Sequence, residues 1–304
     1  MIKKIITDRN MLLVLALVLG FIVPEYAFLF KKQALLILGI VMTMSFTAFP
    51  FKAILPLKTS IKSLLTGIFL NHIVFGFFIG IAALFFINDT DIFYGFVVVI
   101  AAAPGAAIIP FVAKLNGNLN HAIIGTFGAF VSSIVLTPLI LGIATASTVS
   151  PLEVFKTVSV VILLPLIISR LFVFGKVFSI IKRSRGYVID IGFAIIIYIS
   201  IGVNSNVFVD NFGLVLKIVP VFIFIMFVLT KLYSVLMRNK LSAEDIISNK
   251  LLLSIKSSGF AIVLAMDVFN NRAAIPATIM SIMVLVYLLF LVFTKQYKDK
   301  LREH

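Results

Sequence analysis

Long apolar runs dominate this sequence: there are about ten, each of roughly 18 to 25 residues, long enough to cross a hydrocarbon core about 30 Å thick as an α-helix. Hydrophobic residues make up 62% of the chain and charged residues 12%, and the mean hydropathy is +1.20. A soluble domain of this length does not have such a composition. The sequence therefore predicts an all-α polytopic membrane protein.

Ten predicted spans account for the chain as one integral membrane unit of 304 residues. No cleavage pattern follows the first run, Met11 to Pro24, so it is interpreted as the first span and not as a signal peptide. The predicted spans are residues 10–25, 33–51, 62–88, 92–113, 119–146, 152–174, 185–204, 211–236, 247–269 and 273–294.

Lys and Arg residues are unequally divided between the two sides that ten spans define. Nineteen lie on one side, and only Lys31, Lys32, Lys156 and Arg272 lie on the other. Because positively charged segments stay in the cytoplasm, this imbalance predicts cytoplasmic N and C termini in the cell (inner) membrane. A basic fringe facing the anionic lipid bilayer explains the net charge of +14, so no nucleic-acid partner is expected.

The ten spans divide into two sets of five, residues 1–146 and 147–304. Span five opens with NHAIIGT (Asn120 to Thr126) and span ten with NRAAIPAT (Asn271 to Thr278), which share N-x-A-x-I and a nearby Thr. Because five is an odd number, two such halves have opposite orientations in the membrane. The sequence therefore predicts two inverted five-helix repeats.

The preceding spans, four and nine, are interrupted at AAAPGAAIIP (Ala101 to Pro110) and SIKSSG (Ser254 to Gly259). Pro104 and Gly105 free backbone groups that hydrocarbon cannot satisfy, so such a break persists only beside protein or a water-filled cavity. Half-helix ends there present N–H or carbonyl groups to an anion or a small cation. Matched broken helices in inverted repeats indicate a secondary transporter with its site at the breaks.

Several segments carry a family resemblance. They are APGAAIIPF, then LNGNLNHAIIGTFGAFVSSIVLTPLI with its Gly117–Asn118 and Thr137–Pro138 pairs, SSGFAIVLA (Ser257 to Ala265) and FLNHIVFG (Phe69 to Gly76). In these the chain resembles the bile acid:sodium symporter family in its bacterial and archaeal branch. The resemblance implies a core domain of spans 3–5 and 8–10, a panel domain of spans 1–2 and 6–7, and crossing of spans four and nine. It also implies small organic anion substrates and alternating access.

The chain departs from the family at the sodium ligands. The resemblance places the family's Ser-Asn pair at Ile108 and Ile109, its Glu at Leu252, its Gln at Lys256 and its Asn at Ser257. Polar residues remain at Asn71 and Thr126. Since apolar side chains cannot coordinate sodium, we expect the sodium sites to be lost or much weakened and no metal or cofactor to be bound.

Lys256 lies about ten residues into span nine, where burying a lysine costs about 2.5–3.5 kcal/mol. The hypothesis is that its ammonium group replaces sodium, either by neutralising an anionic substrate or by carrying a coupled proton. The alternative is a structural lysine, held by a carboxylate or by broken-helix carbonyls. The candidate site residues are Lys256, Ser254, Ser257, Ser258, Asn71, His72, Thr126, Pro104 and Gly105. His72 is expected either to relay protons or to form a helix–helix hydrogen bond.

Enzymatic signatures are missing from the sequence: it has no P-loop, HExxH or nucleophile elbow, no cysteine, and three histidines without zinc spacing. The leading prediction is a sodium-independent secondary transporter, symporter-like or uniporter, of a small organic anion. One alternative is a sodium-coupled symporter of the same fold. Another is a membrane ligand sensor without transport, which would normally carry a cytoplasmic domain. The substrate, the direction of transport, the coupling ion and the oligomeric state stay open.

Overall fold

The computed structural model describes residues 9–49, 57–105, 108–145, 149–174 and 178–303, and at residues 9, 10, 57, 59, 174 and 297–303 it describes the backbone alone. Residues 50–51, 106–107 and 146 of the predicted spans lie outside this part. The helices are α1 Arg9–Ile22, α2 Glu25–Lys31, α3 Ala34–Phe46, α4 Leu57–Ile68 continued by Phe75–Phe86, α5 Thr90–Ala101, α6 Ile108–Lys114, α7 Leu119–Ala144, α8 Pro151–Val158 continued by Leu164–Phe174, α9 Phe178–Val203, α10 Ser205–Asp210, α11 Phe212–Ile223 continued by Thr230–Met237, α12 Ala243–Ser254, α13 Ser258–Val268, and α14 Ile275–Glu303 after a 3₁₀ turn at Arg272–Ala274.

Six helices of the described chain are long and apolar enough to cross a membrane, which makes this a multi-pass membrane protein. They correspond to α4, α7, α8, α9, α11 and α14. The pair α1 and α2 is bent by 114° and would make a seventh span if the two count together. Shorter apolar helices, α3, α5 and α13, occupy much of predicted spans two, four and nine. The count of ten inverted-repeat spans therefore stays a prediction.

Three of the long helices contain a π-helical turn. The turns lie at Phe69–Val74 in α4, Ser159–Leu163 in α8 and Phe224–Leu229 in α11. A π-helical turn inserts an extra residue into the helix and often marks a functional site. The turn in α4 carries Asn71 and His72, which are only 0% and 3% exposed, so it brings two neighbouring polar side chains into the protein interior.

The start of α7 is hydrogen-bonded to the start of α12. The backbone N–H of Asn118 donates to the Glu244 carbonyl at 3.1 Å, and its side-chain amide donates to the Asp245 carboxylate at 2.8 Å. The Asn118 side chain also caps α7, because its oxygen accepts from the His121 N–H at 3.0 Å. This contact joins the first half of the chain to the second.

A corresponding contact fastens the start of α14 to the start of α5. Arg272 forms an ion pair with Asp89, the N-cap of α5, and the Asn270 amide donates to Asp91 at 2.9 Å. In each contact the long helix that follows one pair of broken helices meets the first helix of the other pair. Helices α5 and α12 also have the same length, 12 residues or about 18 Å. An inverted repeat would produce such a reciprocal exchange, and the repeat itself stays a prediction.

The caps also indicate the register between the two halves. The Asn118 oxygen accepts from the N–H three residues later, and the Asn270 oxygen likewise accepts from Ala273 at 3.1 Å. Superposing these caps aligns Thr126 with Thr278. The predicted pairing of Asn120 with Asn271 differs from this superposition by one residue, and the repeat itself stays a prediction.

Close backbone packing of α4 on α7 holds the π-helical turn in position. A Cβ atom added to Gly67 would lie 2.2 Å from the Gly125 carbonyl oxygen, so only glycine permits this approach. Asn71 lies one turn after Gly67. The glycine contact thus sets the depth at which Asn71 enters the interior.

Candidate functional site

The two helix breaks contact each other directly. Pro104 and Lys256 form an isolated antiparallel bridge, and the Ser257 N–H donates to the Ala103 carbonyl at 2.8 Å. The first break follows from proline, which lacks an N–H and disfavours helix in the residue before it. The second has no proline, and Ile255 is nevertheless extended at φ −115° and ψ 118°. Contacts with the first break therefore hold the second one open.

The ammonium group of Lys256 lies in a cage of oxygen atoms. Its Nζ donates to Asn71 Oδ1 at 2.8 Å, to the Ile100 carbonyl at 2.8 Å and to the Ala102 carbonyl at 2.9 Å. Lys256 is only 2% exposed, and its Nζ lies 4.9 Å from the centre of the Phe75 ring. All three N–H groups of an ammonium are thereby matched to neutral acceptors, since none of the three is a carboxylate.

Two of these acceptors belong to the end of α5, where the helix dipole is negative. The four carbonyls from Ile100 to Ala103 all have partners. Ile100 and Ala102 accept from Lys256, Ala101 accepts from Thr137 Oγ1 at 2.7 Å, and Ala103 accepts from the Ser257 N–H. The positive charge and the hydroxyl thus stabilise a helix end that hydrocarbon could not solvate.

Asn71 connects the cage to the second broken helix. While its oxygen accepts from Lys256, its amide nitrogen donates to the Leu252 carbonyl at 3.2 Å. One side chain on α4 therefore bonds to both broken helices, α5 through the ammonium group and α12 directly.

A small cavity of about 50 Å³ borders the breaks. Gly105, Ser257 and Ser258 line it together with Phe193 of α9 and Ser281 of α14. This volume holds roughly three or four water molecules or the head of a small ligand. No cap from the Ser257 side chain covers the start of α13, so the first N–H groups of that helix suit an anion.

The ammonium group of Lys256 is bonded to residues that do not line this cavity. Lys256 lines the cavity, but Asn71, Ile100 and Ala102, which accept hydrogen bonds from its Nζ, do not. Gly105 packs against the backbone of the second break, because a Cβ there would lie 3.1 Å from the Lys256 carbonyl oxygen. The ammonium group can therefore act on a ligand in the cavity through its field and through the positions of the breaks.

The structure brings Lys256, Asn71, Pro104, Gly105, Ser257 and Ser258 together. Three further predicted site residues, Ser254, Thr126 and His72, bond elsewhere or have no partner. Ser254 Oγ donates to the Lys250 carbonyl of its own helix at 2.7 Å. Thr126 Oγ1 is buried without a hydrogen-bond partner among the described residues.

His72 faces α7. Its Nε2 lies 3.4 Å from the Ala129 carbonyl oxygen and 3.3 Å from Ser133 Oγ. The Ser133 hydroxyl itself donates to Ala129 at 2.7 Å, so Nε2 carries the proton and Nδ1 is left without a partner in the described structure. Of the two expectations for His72, these contacts fit the helix–helix hydrogen bond.

Thr137 was missed as a site residue by sequence reasoning, although it stands in the Thr137–Pro138 pair that contributes to the family resemblance. Carbonyls of a broken helix were expected as partners of Lys256 only in the alternative of a structural lysine, and the contacts at Ile100 and Ala102 fit that alternative as well. The sequence did not single out these two carbonyls, because every residue has one.

Helix α9 packs tightly against the far side of the site. Ser200 of α9 forms a short hydrogen bond with Thr278 of α14. A Cβ added to Gly259 of α13 would lie 2.5 Å from the Phe193 ring. At these positions the space between α9 and the broken helices is closed.

Residues 35–211, more than half of the chain, match the family described as Sodium Bile acid symporter family. The matched range contains the first break and ends before the second, so Lys256 lies outside it. No curated protein matches the chain.

Proposed function

The chain belongs to the sodium bile acid symporter family, and we propose that it is a secondary transporter of a small organic anion in which the Lys256 ammonium group takes the place of a coupled sodium ion. The oxygen cage around Nζ is the observation that carries this proposal. Hard cations bind carbonyl and amide oxygens, and a buried ammonium group is a cation of this kind that cannot dissociate.

The residues around the cage support a sodium-independent mechanism. Ile108 and Leu252, which stand where the family resemblance expects sodium ligands, are 0% exposed and contribute apolar side chains. Leu252 takes part through its carbonyl alone. A sodium ion would have to compete with a covalently attached cation for the Asn71 oxygen.

The cavity at the start of α13 supports an anionic substrate. The free N–H groups of that helix and the Ser257 and Ser258 hydroxyls offer hydrogen bonds to a carboxylate. The buried positive charge behind the breaks adds a favourable field that no carboxylate in the cage cancels. A cavity of about 50 Å³ admits the carboxylate head and leaves the rest of the substrate outside.

A fixed charge fits the cage better than a titrating one. A neutral amine has two N–H groups, so deprotonation would leave one of the three cage oxygens without a donor. In this mechanism Lys256 stays protonated through the cycle, and the gradient of the anion itself drives net transport. Proton coupling through Lys256 is the competing mechanism.

A sodium-coupled symporter is the second candidate, and the unpartnered Thr126 hydroxyl favours it. A buried hydroxyl without a partner is costly, so a cation or water bound there would relieve the cost. Both candidates share one proposed architecture. It has ten spans in two inverted repeats, lies in the inner membrane and has both termini in the cytoplasm.

The test is uptake by proteoliposomes containing the purified protein. A panel of small carboxylates is offered with sodium or with choline as the only monovalent cation, at two pH values. We expect uptake that is independent of sodium and pH and is lost in Lys256→Gln. Uptake that requires sodium would overturn the proposal in favour of the symporter, and ligand stabilisation without uptake would indicate a sensor.

A further inference from the structure

A second and larger cavity opens on one side of α9. It is a crevice of about 650 Å³ between the first half of α9 and helices α3, α6 and α7. Three basic residues of α9, Lys182, Arg183 and Arg185, line one wall. Lys182 and Arg183 are exposed and Arg185 is half-buried. Asp190 is the one acidic residue in the lining.

The opposite wall of the crevice is apolar. Phe49 follows α3, and Pro110 and Phe111 belong to α6. The crevice therefore presents positive charge on one side and an apolar surface on the other, which is the pattern that an anion with an apolar body requires.

The crevice and the small cavity at the breaks share part of their lining. Phe111 of α6 and Phe193 of α9 border both. The two rings therefore lie between the crevice and the small cavity at the breaks.

Helix stability does not explain the basic cluster. Lys182, Arg183 and Arg185 lie near the start of α9, far from the C-terminal end at which cations stabilise a helix. Attraction to anionic lipid accounts for basic residues at a membrane surface. It does not require them to line a crevice that shares Phe111 and Phe193 with the cavity at the breaks.

We propose that this crevice is the vestibule of the transport site: Lys182, Arg183 and Arg185 concentrate organic anions in it, and Phe111 and Phe193 form the constriction before the start of α13. This inference rests on the proposed function for the identity of the substrate. The vestibule itself is a claim about access and local potential, so it can be tested without transport.

The test exploits the absence of cysteine from the natural chain. Ala113→Cys places one thiol in the crevice, at an exposed position of the lining, and Asn239→Cys places one at an exposed position outside it. Purified protein is labelled with an anionic and with a cationic methanethiosulfonate reagent of similar size. We expect the anionic reagent to react roughly tenfold faster relative to the cationic one at Ala113→Cys than at Asn239→Cys, because the crevice concentrates anions.

The preference is then measured after the basic wall is neutralised. The triple change Lys182→Gln, Arg183→Gln and Arg185→Gln should abolish the anionic preference at Ala113→Cys. The matched pair Arg238→Gln and Lys240→Gln, exposed basic residues outside the crevice lining, should leave it unchanged. A preference at Ala113→Cys that survives the triple change, or that falls equally with the matched pair, would overturn the vestibule.

Transport then separates this inference from the proposed function. If a carboxylate is transported, the triple variant should raise KM roughly tenfold at low salt with kcat within about twofold, and the effect should shrink at high salt. An unchanged KM with unchanged salt dependence would count against the vestibule alone. Anion-selective labelling without transport would refute the proposed function but would still support the crevice as a site that concentrates anions.

Discussion

Replacing Lys256 with alanine tests whether its ammonium group occupies a cation site. The change removes the charge and the stem and leaves the oxygens of Asn71, Ile100 and Ala102 around an empty space. A small cation from solution could then enter this space. We therefore expect Lys256→Ala to be less stable than the natural protein and to be stabilised selectively by sodium.

The magnitude follows from the cage. Each of the three orphaned oxygens costs about 1–3 kcal/mol, and removing a buried ammonium group returns about 3 kcal/mol of insertion cost. The net loss in the free energy of unfolding is about 3 kcal/mol, equivalent to a fall in Tm of about 6–12 °C. Sodium at ten times its dissociation constant should restore about 1.4 kcal/mol, or about 3–6 °C.

Thermal unfolding in detergent, followed by far-UV circular dichroism, provides the measurement. The chain has neither tryptophan nor cysteine, so indole fluorescence and thiol dyes are not suitable. Each variant is heated in choline, in sodium and in propylammonium, whose head and stem imitate the missing side chain. Lys231→Ala is the control, because Lys231 is exposed on α11.

The reasoning would be refuted by a Lys256→Ala protein that is as stable as the natural one. It would also be refuted if sodium and propylammonium shifted Lys256→Ala no more than they shift Lys231→Ala. If propylammonium raised the Tm of Lys256→Ala but sodium did not, the cage would fit an ammonium group. The claim that the ammonium group takes the place of sodium would then be refuted.

Three further substitutions test the supports of the site by the same unfolding measurement. Asn71→Leu should lower stability by about 2–4 kcal/mol, since Lys256 loses an acceptor and the Leu252 carbonyl loses its donor; a change below 1 kcal/mol would argue against the cage. Thr137→Val should cost about 1–3 kcal/mol by orphaning the Ala101 carbonyl, whereas Thr294→Val, whose hydroxyl is exposed, should be nearly neutral. Gly67→Ala should cost about 1–3 kcal/mol or more, because its Cβ would lie 2.2 Å from the Gly125 oxygen. Gly39→Ala should be neutral or stabilising, because a Cβ there has nothing within 4 Å. Equal effects of the two glycine changes would contradict the close packing of α4 on α7.

Part of the site was predictable because local chemistry decides it. Pro104 cannot continue a helix, so the end of α5 could be expected near Ala101. Lys256 could be singled out because a lysine among Leu, Ile and Ser in an apolar run is costly unless it has partners. The meeting of the two breaks followed from the family resemblance, and the Pro104–Lys256 bridge is the contact by which they meet.

Other features depended on neighbours that the local sequence does not specify. The second break lacks a proline, and the π-helical turn that buries Asn71 and His72 has no marker in FLNHIV. The breaks predicted within residues 92–113 and 247–269 are present as separate short helices, but hydropathy alone does not distinguish these segments from continuous spans. Hydropathy indicates how much apolar surface a segment has. It does not indicate at which residue the helical hydrogen bonding stops.

The sequence by itself determined that this chain is a helical membrane protein, that one helix breaks at Pro104 and that a lysine enters the apolar interior. Only the tertiary structure decided what that lysine bonds to. Two of its three acceptors are backbone carbonyls, at Ile100 and Ala102, and the same group occurs in every residue. Which carbonyls are free to accept depends on where α5 ends and on what packs against that end, and both are set by the fold as a whole.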